Sequence, residues 1–189
     1  MGTISAAERD TRAWLERAVI GLNLCPFAKA VHVKGQIHFA ISKATQAVEL
    51  LEDLILELKQ LAAADPSVRD TTLLIAPACL PDFLEFNDFL GEADMVLRRL
   101  DLDGVIQIAS FHPAYQFAGT TPDDITNYTN RAPHPTLHLL REDSIDKAVA
   151  AFPQAEDIFE HNMRTLEALG ERGWAALGVG PSAAGKIGP

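Results

Sequence analysis

The chain has 189 residues, of which 48% are hydrophobic and 22% charged, a balance typical of a globular domain. Its formal net charge of -10 opposes nucleic-acid backbones and anionic membrane surfaces, and no apolar run approaches the roughly 20 residues that span a bilayer. With two cysteines and a polar N-terminus, we expect no signal peptide and no disulfide framework, but one acidic cytoplasmic domain over residues 1–178 and a flexible tail over residues 179–189.

The predicted elements alternate between helices and strands. Apolar residues at helical spacing predict an N-terminal helix over residues 6–21. Strict alternation of apolar and polar residues over 31–41 predicts a first strand with one buried and one wetter face. Residues 44–63 carry the clearest helical pattern. Residues 71–77 are a fully apolar run of strand length, which is typical of a central strand.

A third helix and two further strands follow. Asp82, with Glu85 three residues later, resembles a capping box and predicts a helix that ends near residue 100. Short apolar runs over residues 105–111 and 136–140 predict the third and fourth strands.

Two C-terminal helices complete the pattern. Asp143 or Ser144 suits the N-cap of the first, which ends near Ala151. Pro153 suits the first position of the second, which stops at Gly170. The order of elements predicts an α+β fold, a two-layer sandwich with a mixed four-stranded sheet.

The longest connection, within residues 110–141, is the expected site of function. This stretch holds both tyrosines and three of the six histidines. Ordinary connections are about 4–6 residues long, and much longer ones that are not disordered are usually functional. His112 lies where the third strand ends, and its near-neutral pKa suits general acid–base chemistry. We also place Tyr115 among the substrate-binding candidates.

Cys25 is the candidate nucleophile. If Pro26 lies in the first turn of a helix, backbone N–H groups and the helix dipole would stabilise a thiolate at Cys25. Together with His112 and Asn130 it would supply a nucleophile, a base and an orienting amide. The alternative is that Cys25 is a buried apolar residue, the usual fate of a free cysteine.

Several cationic and polar residues are candidates for binding a small anion. Arg131 and Arg141 bracket the fourth strand and would act as a clamp, with Lys29 approaching from the Cys25 segment. The alternative is that both arginines pair with nearby acidic residues, namely Asp123, Asp124, Glu142 and Asp143. His138 within the fourth strand is a further candidate.

Asn162 falls on the apolar stripe of the last helix. A buried amide needs partners, so we expect it to face the long connection or the Cys25 segment.

A metal site is the third possibility. His134 and His138 are four residues apart, but Pro133 and Pro135 impose extended backbone. The two rings would then lie about 13 Å apart and could not share an ion. A site of His112 with Asp123 and Asp124, joined by His138, stays open, and the sequence implies no particular cofactor.

The chain resembles the bacterial domain-of-unknown-function 1415 family. The motifs that carry the resemblance are LNLCPFA at residues 22–28, ASFHPAYQF at 109–117, NYTNR at 127–131 and LHLLRE at 137–142. The resemblance extends over residues 11–177 and implies a compact bacterial cytoplasmic domain without an assigned activity. The family usually has an aromatic residue where His134 stands, which argues against His134 as a ligand.

Three functions therefore stay open at this point. The first is a small-molecule enzyme, a hydrolase or transferase, acting on an anionic metabolite. The second is a non-catalytic binding module for a small anion or a peptide. The third is a metal-dependent enzyme using His112 and the pair Asp123 and Asp124. As partners we expect neither nucleic acid nor membrane, and homodimerisation through the first strand is a further expectation.

Overall fold

The computed structural model describes residues 4–151 and 157–182. The strands are β1 (Ile37–Ile41), β2 (Thr71–Ile75), β3 (Ile106–Phe111) and β4 (Thr136–Arg141). The α-helices are α1 (Ala6–Trp14), α2 (Ala28–Val33), α3 (Ala47–Ala63), α4 (Phe83–Arg99), α5 (Glu142–Ala151) and α6 (Ile158–Ala176). A π-helix (Leu15–Ile20) continues α1, and a 3-10 helix (Ile125–Thr129) lies in the long connection. None of the helices in these described ranges is long and apolar enough to cross a membrane.

The four strands form one mixed sheet in the order β1-β2-β4-β3. β1 and β2 are parallel, whereas β4 is antiparallel to both of its neighbours. Phe39, Leu73, His138 and Ala109 form one row across the sheet. The predicted α+β class and the mixed four-stranded sheet are therefore confirmed.

The main core lies between one face of the sheet and the helices α3 and α4. Successive leucines of α3 project from the same side of the helix because they recur every three or four residues, and all are fully buried: Leu50, Leu54, Leu58 and Leu61. Opposite them, the sheet contributes Leu74, Leu137 and Leu139. Full burial of each leucine stabilises the fold by about 1.5–3 kcal/mol.

The N-terminal helix adds cover on the opposite face of the sheet. Trp14 is buried and meets Phe111 edge-on, with ring centroids 5.1 Å apart. Ala7 packs with Leu73 and Ile75 of the central strand. These apolar clusters bury the second face of the sheet beside β1, β2 and β3.

The first strand begins later than the sequence predicts. Residues 31–33 belong to α2, and the strand begins at Ile37. Gly35 has a φ of 69° and ends α2. Its N–H donates to the carbonyl of His32 at 3.0 Å, and the N–H of Gln36 donates to that of Val31 at 3.0 Å, which is a Schellman motif. The alternation upstream of Gly35 was therefore not a strand signal.

The C-terminal helices also differ from their predicted ends. α5 begins directly after β4, so Asp143 and Ser144 lie inside its first turn rather than at its cap. The Ser144 hydroxyl instead donates to Asp70 at 2.6 Å. Gly170, at φ 63°, interrupts α6 where the helix was predicted to stop, and helical structure resumes as far as Ala176. Pro153 lies outside the described residues.

A pair of glycine substitutions separates backbone conformation from packing. Neither Gly35 nor Gly91 has atoms near the position of an added Cβ, but only Gly35 has a positive φ. We expect Gly35→Ala to lower the free energy of unfolding by about 1 kcal/mol. Gly91→Ala, within α4, should raise it by about 0.5–1 kcal/mol. Urea denaturation measures both, and an unchanged midpoint for Gly35→Ala would contradict the assigned turn.

Candidate functional site

Cys25 is half-buried beside the aromatic cluster of the second sheet face. Burial raises the pKa of its thiol above 9.0, even though the backbone N–H groups of Phe27 and Ala28 hydrogen-bond to the sulfur. The predicted N–H contacts are therefore present. The predicted activation is not, because desolvation of a thiolate outweighs them.

His112 is fully buried, and backbone groups occupy both of its ring nitrogens. Nδ1 accepts from the N–H of Ala114 at 3.0 Å, so Nε2 carries the proton and donates to the carbonyl of Leu80 at 3.1 Å. The rings of Phe83 and Phe86 lie 5.5 and 5.1 Å away. Burial lowers the pKa of His112. It is a neutral tether between two loops, and neither nitrogen faces a substrate.

The polar residues of the long connection bind the connection itself. The side-chain amide of Asn130 donates to the carbonyl of Ser110 at 3.2 Å, and the backbone carbonyl of Asn130 accepts from the N–H of His112 at 3.1 Å. Arg131 donates to the carbonyls of Tyr115 and Pro122 at 3.1 and 2.6 Å. Both side chains thus donate to backbone carbonyls of residues 110–122.

The remaining candidates of this region are dispersed. Tyr115 is half-buried between the rings of Phe83 and Phe117, with centroids 5.1 and 5.0 Å away. Lys29 is exposed on α2. Tyr115 contacts two of the other candidates through its backbone: its N–H donates to the carbonyl of His112 at 3.0 Å, and its carbonyl accepts from Arg131 at 3.1 Å.

Arg141 and His138 are held within the sheet. The Nη2 group of Arg141 donates to the carbonyls of Leu61, Ala64 and Arg69 at 2.5, 2.7 and 3.4 Å. The guanidinium thus serves the C-terminus of α3, so the expected anion clamp is not formed. The predicted pairing of the arginines with nearby acids is not formed either.

His138 lies beside Thr71, with Nε2 2.7 Å from its hydroxyl oxygen. The Thr71 hydroxyl donates to the carbonyl of Leu139, so it accepts from His138. Burial lowers the pKa of His138 to about 4, which keeps its ring neutral at pH 7.

Asn162 faces the Cys25 segment, one of the two positions expected for it. Its side chain is buried, and Nδ2 donates to the carbonyl of Leu24 at 2.8 Å. Its Oδ1 has no hydrogen-bond partner among the described residues. Asn162 therefore fixes the turn before Cys25 against α6.

In the part of the chain that the structure describes, Asp123 and Asp124, the acidic pair of the predicted metal site, do not meet the other predicted ligands. Asp124 caps the 3-10 helix by accepting from the N–H and hydroxyl of Thr126 at 2.9 and 2.7 Å. Within residues 4–151 and 157–182, no three histidine, cysteine or acidic side chains converge as metal ligands. The sequence-based donor set of His112, Asp123 and Asp124 is thus not assembled.

Asp10 forms a junction that the sequence-based reasoning missed. It is buried in α1 and accepts from Nε2 of His134 at 3.1 Å and from the N–H of Ser182 at 2.8 Å. The Ser182 hydroxyl donates to its other oxygen. The available signal was the position of Asp10, three residues after Ala7 and four before Trp14, on the apolar stripe of α1.

The Asp10 junction borders an open cavity of about 360 Å³, lined by Ala13 and residues 178–182. Arg17 ties the same segment down by donating to the carbonyls of Leu177 and Gly178 at 3.2 and 3.4 Å. Because Asp10 binds Ser182 and Arg17 binds the carbonyls of Leu177 and Gly178, we assign the junction a role in holding residues 178–182 against the N-terminal helix.

A second cavity of about 320 Å³ lies between β1 and α3, and we call it the β1–α3 groove. It opens beside the carboxyl end of β1, and the polar residues that line it are His38, Ser42, Lys43, Asp53 and Glu57. Carboxyl ends of parallel strands are common ligand sites in α/β sheets.

The polar side chains of the β1–α3 groove form two pairs. The Ser42 hydroxyl donates to Oδ2 of Asp53 at 2.6 Å. Glu57 pairs with Arg69, and Nε2 of His38 lies 3.8 Å from the same carboxylate oxygen. Burial and the charge of Arg69 lower the pKa of His38, so its ring is neutral at pH 7.

The edge of the sheet beside the groove is open. Ser42 donates its N–H to Ile75 of β2, and Gln36 accepts from the N–H of Thr71. Because backbone groups alternate along a parallel strand, the even-numbered residues of β1 face β2 and the odd-numbered ones face outward. The outward N–H and C=O groups of Ile37, Phe39 and Ile41 have no hydrogen-bond partner among the described residues.

A family model described as a protein of unknown function (DUF1415) matches residues 6–176. No curated protein and no solved structure shows significant similarity to the chain.

The Asp10 junction makes a pH-dependent contribution to stability. Burial raises the pKa of Asp10, but hydrogen bonds from Ser182 and His134 outweigh burial and hold the pKa below 3.8. A carboxyl with a lowered folded-state pKa stabilises the fold above its unfolded pKa, and the stabilisation is lost as the pH falls through the folded value. We expect Asp10→Asn to lower the free energy of unfolding by about 1–2 kcal/mol at pH 7.

Urea denaturation of the wild type and Asp10→Asn at several pH values measures this contribution. The difference between the two proteins should shrink as the pH falls below 3.8, because the carboxyl of Asp10 then takes up a proton. A difference that does not change with pH down to 3 would contradict the ionised junction.

Proposed function

The chain belongs to the DUF1415 family, which carries no assigned activity, and on that premise we propose that it is a non-catalytic binding module. Its ligand is an extended peptide that adds a fifth strand beside β1. Strand addition to an exposed sheet edge is a recurrent mode of peptide recognition, in which backbone hydrogen bonds give affinity and pockets for alternate side chains give specificity.

The observation that carries this proposal is the open edge of β1. Three successive outward-facing residues, Ile37, Phe39 and Ile41, present N–H and C=O groups with no partner among the described residues. Unpaired groups of this kind template pairing with another chain unless they are covered. The β1–α3 groove adjoins this edge and offers a pocket for a side chain of the added strand.

Most of the residues on which a catalytic function would depend are engaged in hydrogen bonds to backbone groups. His112 is bound to backbone groups of Leu80 and Ala114, and Asn130 to the carbonyl of Ser110. Arg131 and Arg141 donate to carbonyls rather than to an open pocket. A function that needs no activated side chain therefore fits the geometry better than acyl transfer or hydrolysis.

A small-molecule enzyme that acts through Cys25 is the second candidate. The observation in its favour is the pair of N–H groups, from Phe27 and Ala28, directed at the sulfur. Such groups would stabilise a thiolate or a developing negative charge. The raised pKa of Cys25 weighs against it, and so does the engagement of both ring nitrogens of His112 by backbone groups.

Amide hydrogen exchange measured by NMR tests the open edge. In the free protein we expect the amides of Ile37, Phe39 and Ile41 to exchange on the order of a hundredfold faster than those of His38 and Ala40, because only the latter bond to β2. Millimolar acetyl-Thr-Val-Gln-Val-Thr-amide should slow the three fast amides and leave the other two unchanged. Equal protection of all five amides in a monomeric free protein would refute the proposal.

Thiol labelling tests the second candidate. In a Cys79→Ala variant, we expect iodoacetamide at pH 7 to label Cys25 more slowly than N-acetylcysteine, because burial raises the pKa of Cys25 and lowers its thiolate fraction. Labelling several times faster than the free thiol would instead favour a nucleophilic Cys25. The variant removes Cys79, the other free cysteine, from the measurement.

A further inference from the structure

We propose that the strand accepted by β1 belongs to another protein and places a lysine or arginine side chain in the β1–α3 groove. This inference rests on the proposed function, because it concerns the partner of the same edge. It names the chemistry of that partner, a basic extended segment, and excludes a second copy of this chain.

The shape of β1 supplies the room for such a side chain. On the face towards α3, the side chains of β1 are those of His38 and Ala40, because Ala40 pairs with Leu74 and both lie in the α3 core. The small side chain of Ala40 leaves the floor of the groove open above Leu74. A strand added beside β1 would direct alternate side chains to this same face.

The wall of the groove supplies the charge that selects a cation. Asp53 and Glu57 are one helical turn apart on α3 and both line the groove. Glu57 is already paired with Arg69. Asp53 receives only the Ser42 hydroxyl on Oδ2, and its Oδ1 has no partner among the described residues. Asp53 is therefore the acceptor left for an incoming ammonium or guanidinium group.

The other charged groups around the groove do not reverse this preference. His38 contributes no positive charge at pH 7, since its pKa is lowered. Lys43 is exposed at the mouth of the groove. Glu49 and Glu52 extend the acidic surface of α3, and hydrogen bonds from Thr45 and Gln46 lower the pKa of Glu49.

The same charges disfavour a second copy of the chain. Antiparallel pairing of two β1 strands about Phe39 would be geometrically allowed, since the outward groups would match. It would also bring two α3 surfaces together across the new two-fold axis. Each carries carboxylates at Glu49, Glu52 and Asp53, and each chain has a net charge of -10. Like charges that face each other oppose association, so a homodimer through β1 is not the state we expect.

Three acetylated and amidated pentapeptides test the proposal: Thr-Val-Gln-Val-Thr and the versions with lysine or glutamate at the centre. Their dissociation constants are measured by NMR titration of the free protein at low ionic strength. We expect the lysine peptide to bind about tenfold more tightly than the glutamine peptide, and the glutamate peptide more weakly than both. Light scattering should give a monomeric mass.

Variants of α3 assign the effect to one carboxylate. Asp53→Asn should remove the preference for lysine over glutamine, and Asp53→Glu should retain most of it. Glu52→Gln is the matched control, because Glu52 is exposed on the same helix but does not line the groove. It should keep the preference within about twofold, since only long-range charge is lost. Continued protection of the His38 and Ala40 amides shows that each variant retains the sheet.

The outcomes separate the two proposals. Equal affinity for the lysine and glutamine peptides, with protection of Ile37, Phe39 and Ile41 by both, overturns the basic preference and leaves strand addition standing. A dimeric free protein with these three amides already protected shows that a second copy occupies the edge, which overturns the inference. Failure of all three peptides to protect these amides in a monomer overturns strand addition, and the inference falls with it.

Discussion

The fold depends on buried polar side chains that satisfy the backbone of a long irregular connection. Between β3 and β4 the chain has only one short 3-10 helix, yet most of its residues are buried or half-buried, and buried backbone groups without partners are costly. His112, Asn127 and Arg131 supply these partners. Asn127 alone, fully buried, serves the N–H of Phe117 and the carbonyl of Thr121 at 2.9 and 2.8 Å. These contacts fix the path of the chain between β3 and β4, an antiparallel pair of the sheet.

This requirement changes the meaning of the family motifs. The motifs around Cys25, His112 and Asn130 look like chemistry, because histidine, cysteine, arginine and asparagine are the usual catalytic residues. The same donors and acceptors also serve backbone groups, and that is how the structure uses His112, Asn130 and Arg131. The β1–α3 groove lies outside these motifs. These motif residues therefore serve the fold, and the surface beside β1 is where we propose recognition.

The sequence predicted most helices and strands well but predicted the hydrogen-bond partners of polar side chains poorly, and the reason is physical. Periodicity depends on burial within one element, so α3, β2 and the Asp82 cap of α4 followed from local patterns. The start of β1 was predicted too early, because apolar and polar residues also alternate by chance in α2, upstream of Gly35. The hydrogen-bond partners of Asp10 and Arg141 lie 72 or more residues away along the chain, and no local pattern encodes them. Edge positions in the sheet likewise follow only from the strand order.

The contacts of Arg141 also bear on how the protein unfolds. Its guanidinium, at the end of β4, holds carbonyls at the C-terminus of α3 and just before β2. It therefore joins the parallel unit β1-α3-β2 to the antiparallel hairpin of β3 and β4, in addition to the pairing of β2 with β4. If either unit opened, the guanidinium of Arg141 would separate from the three carbonyls that it binds, and these groups would lose their hydrogen bonds. We therefore expect the two halves of the sheet to unfold together, as one cooperative unit rather than as two foldons that open independently.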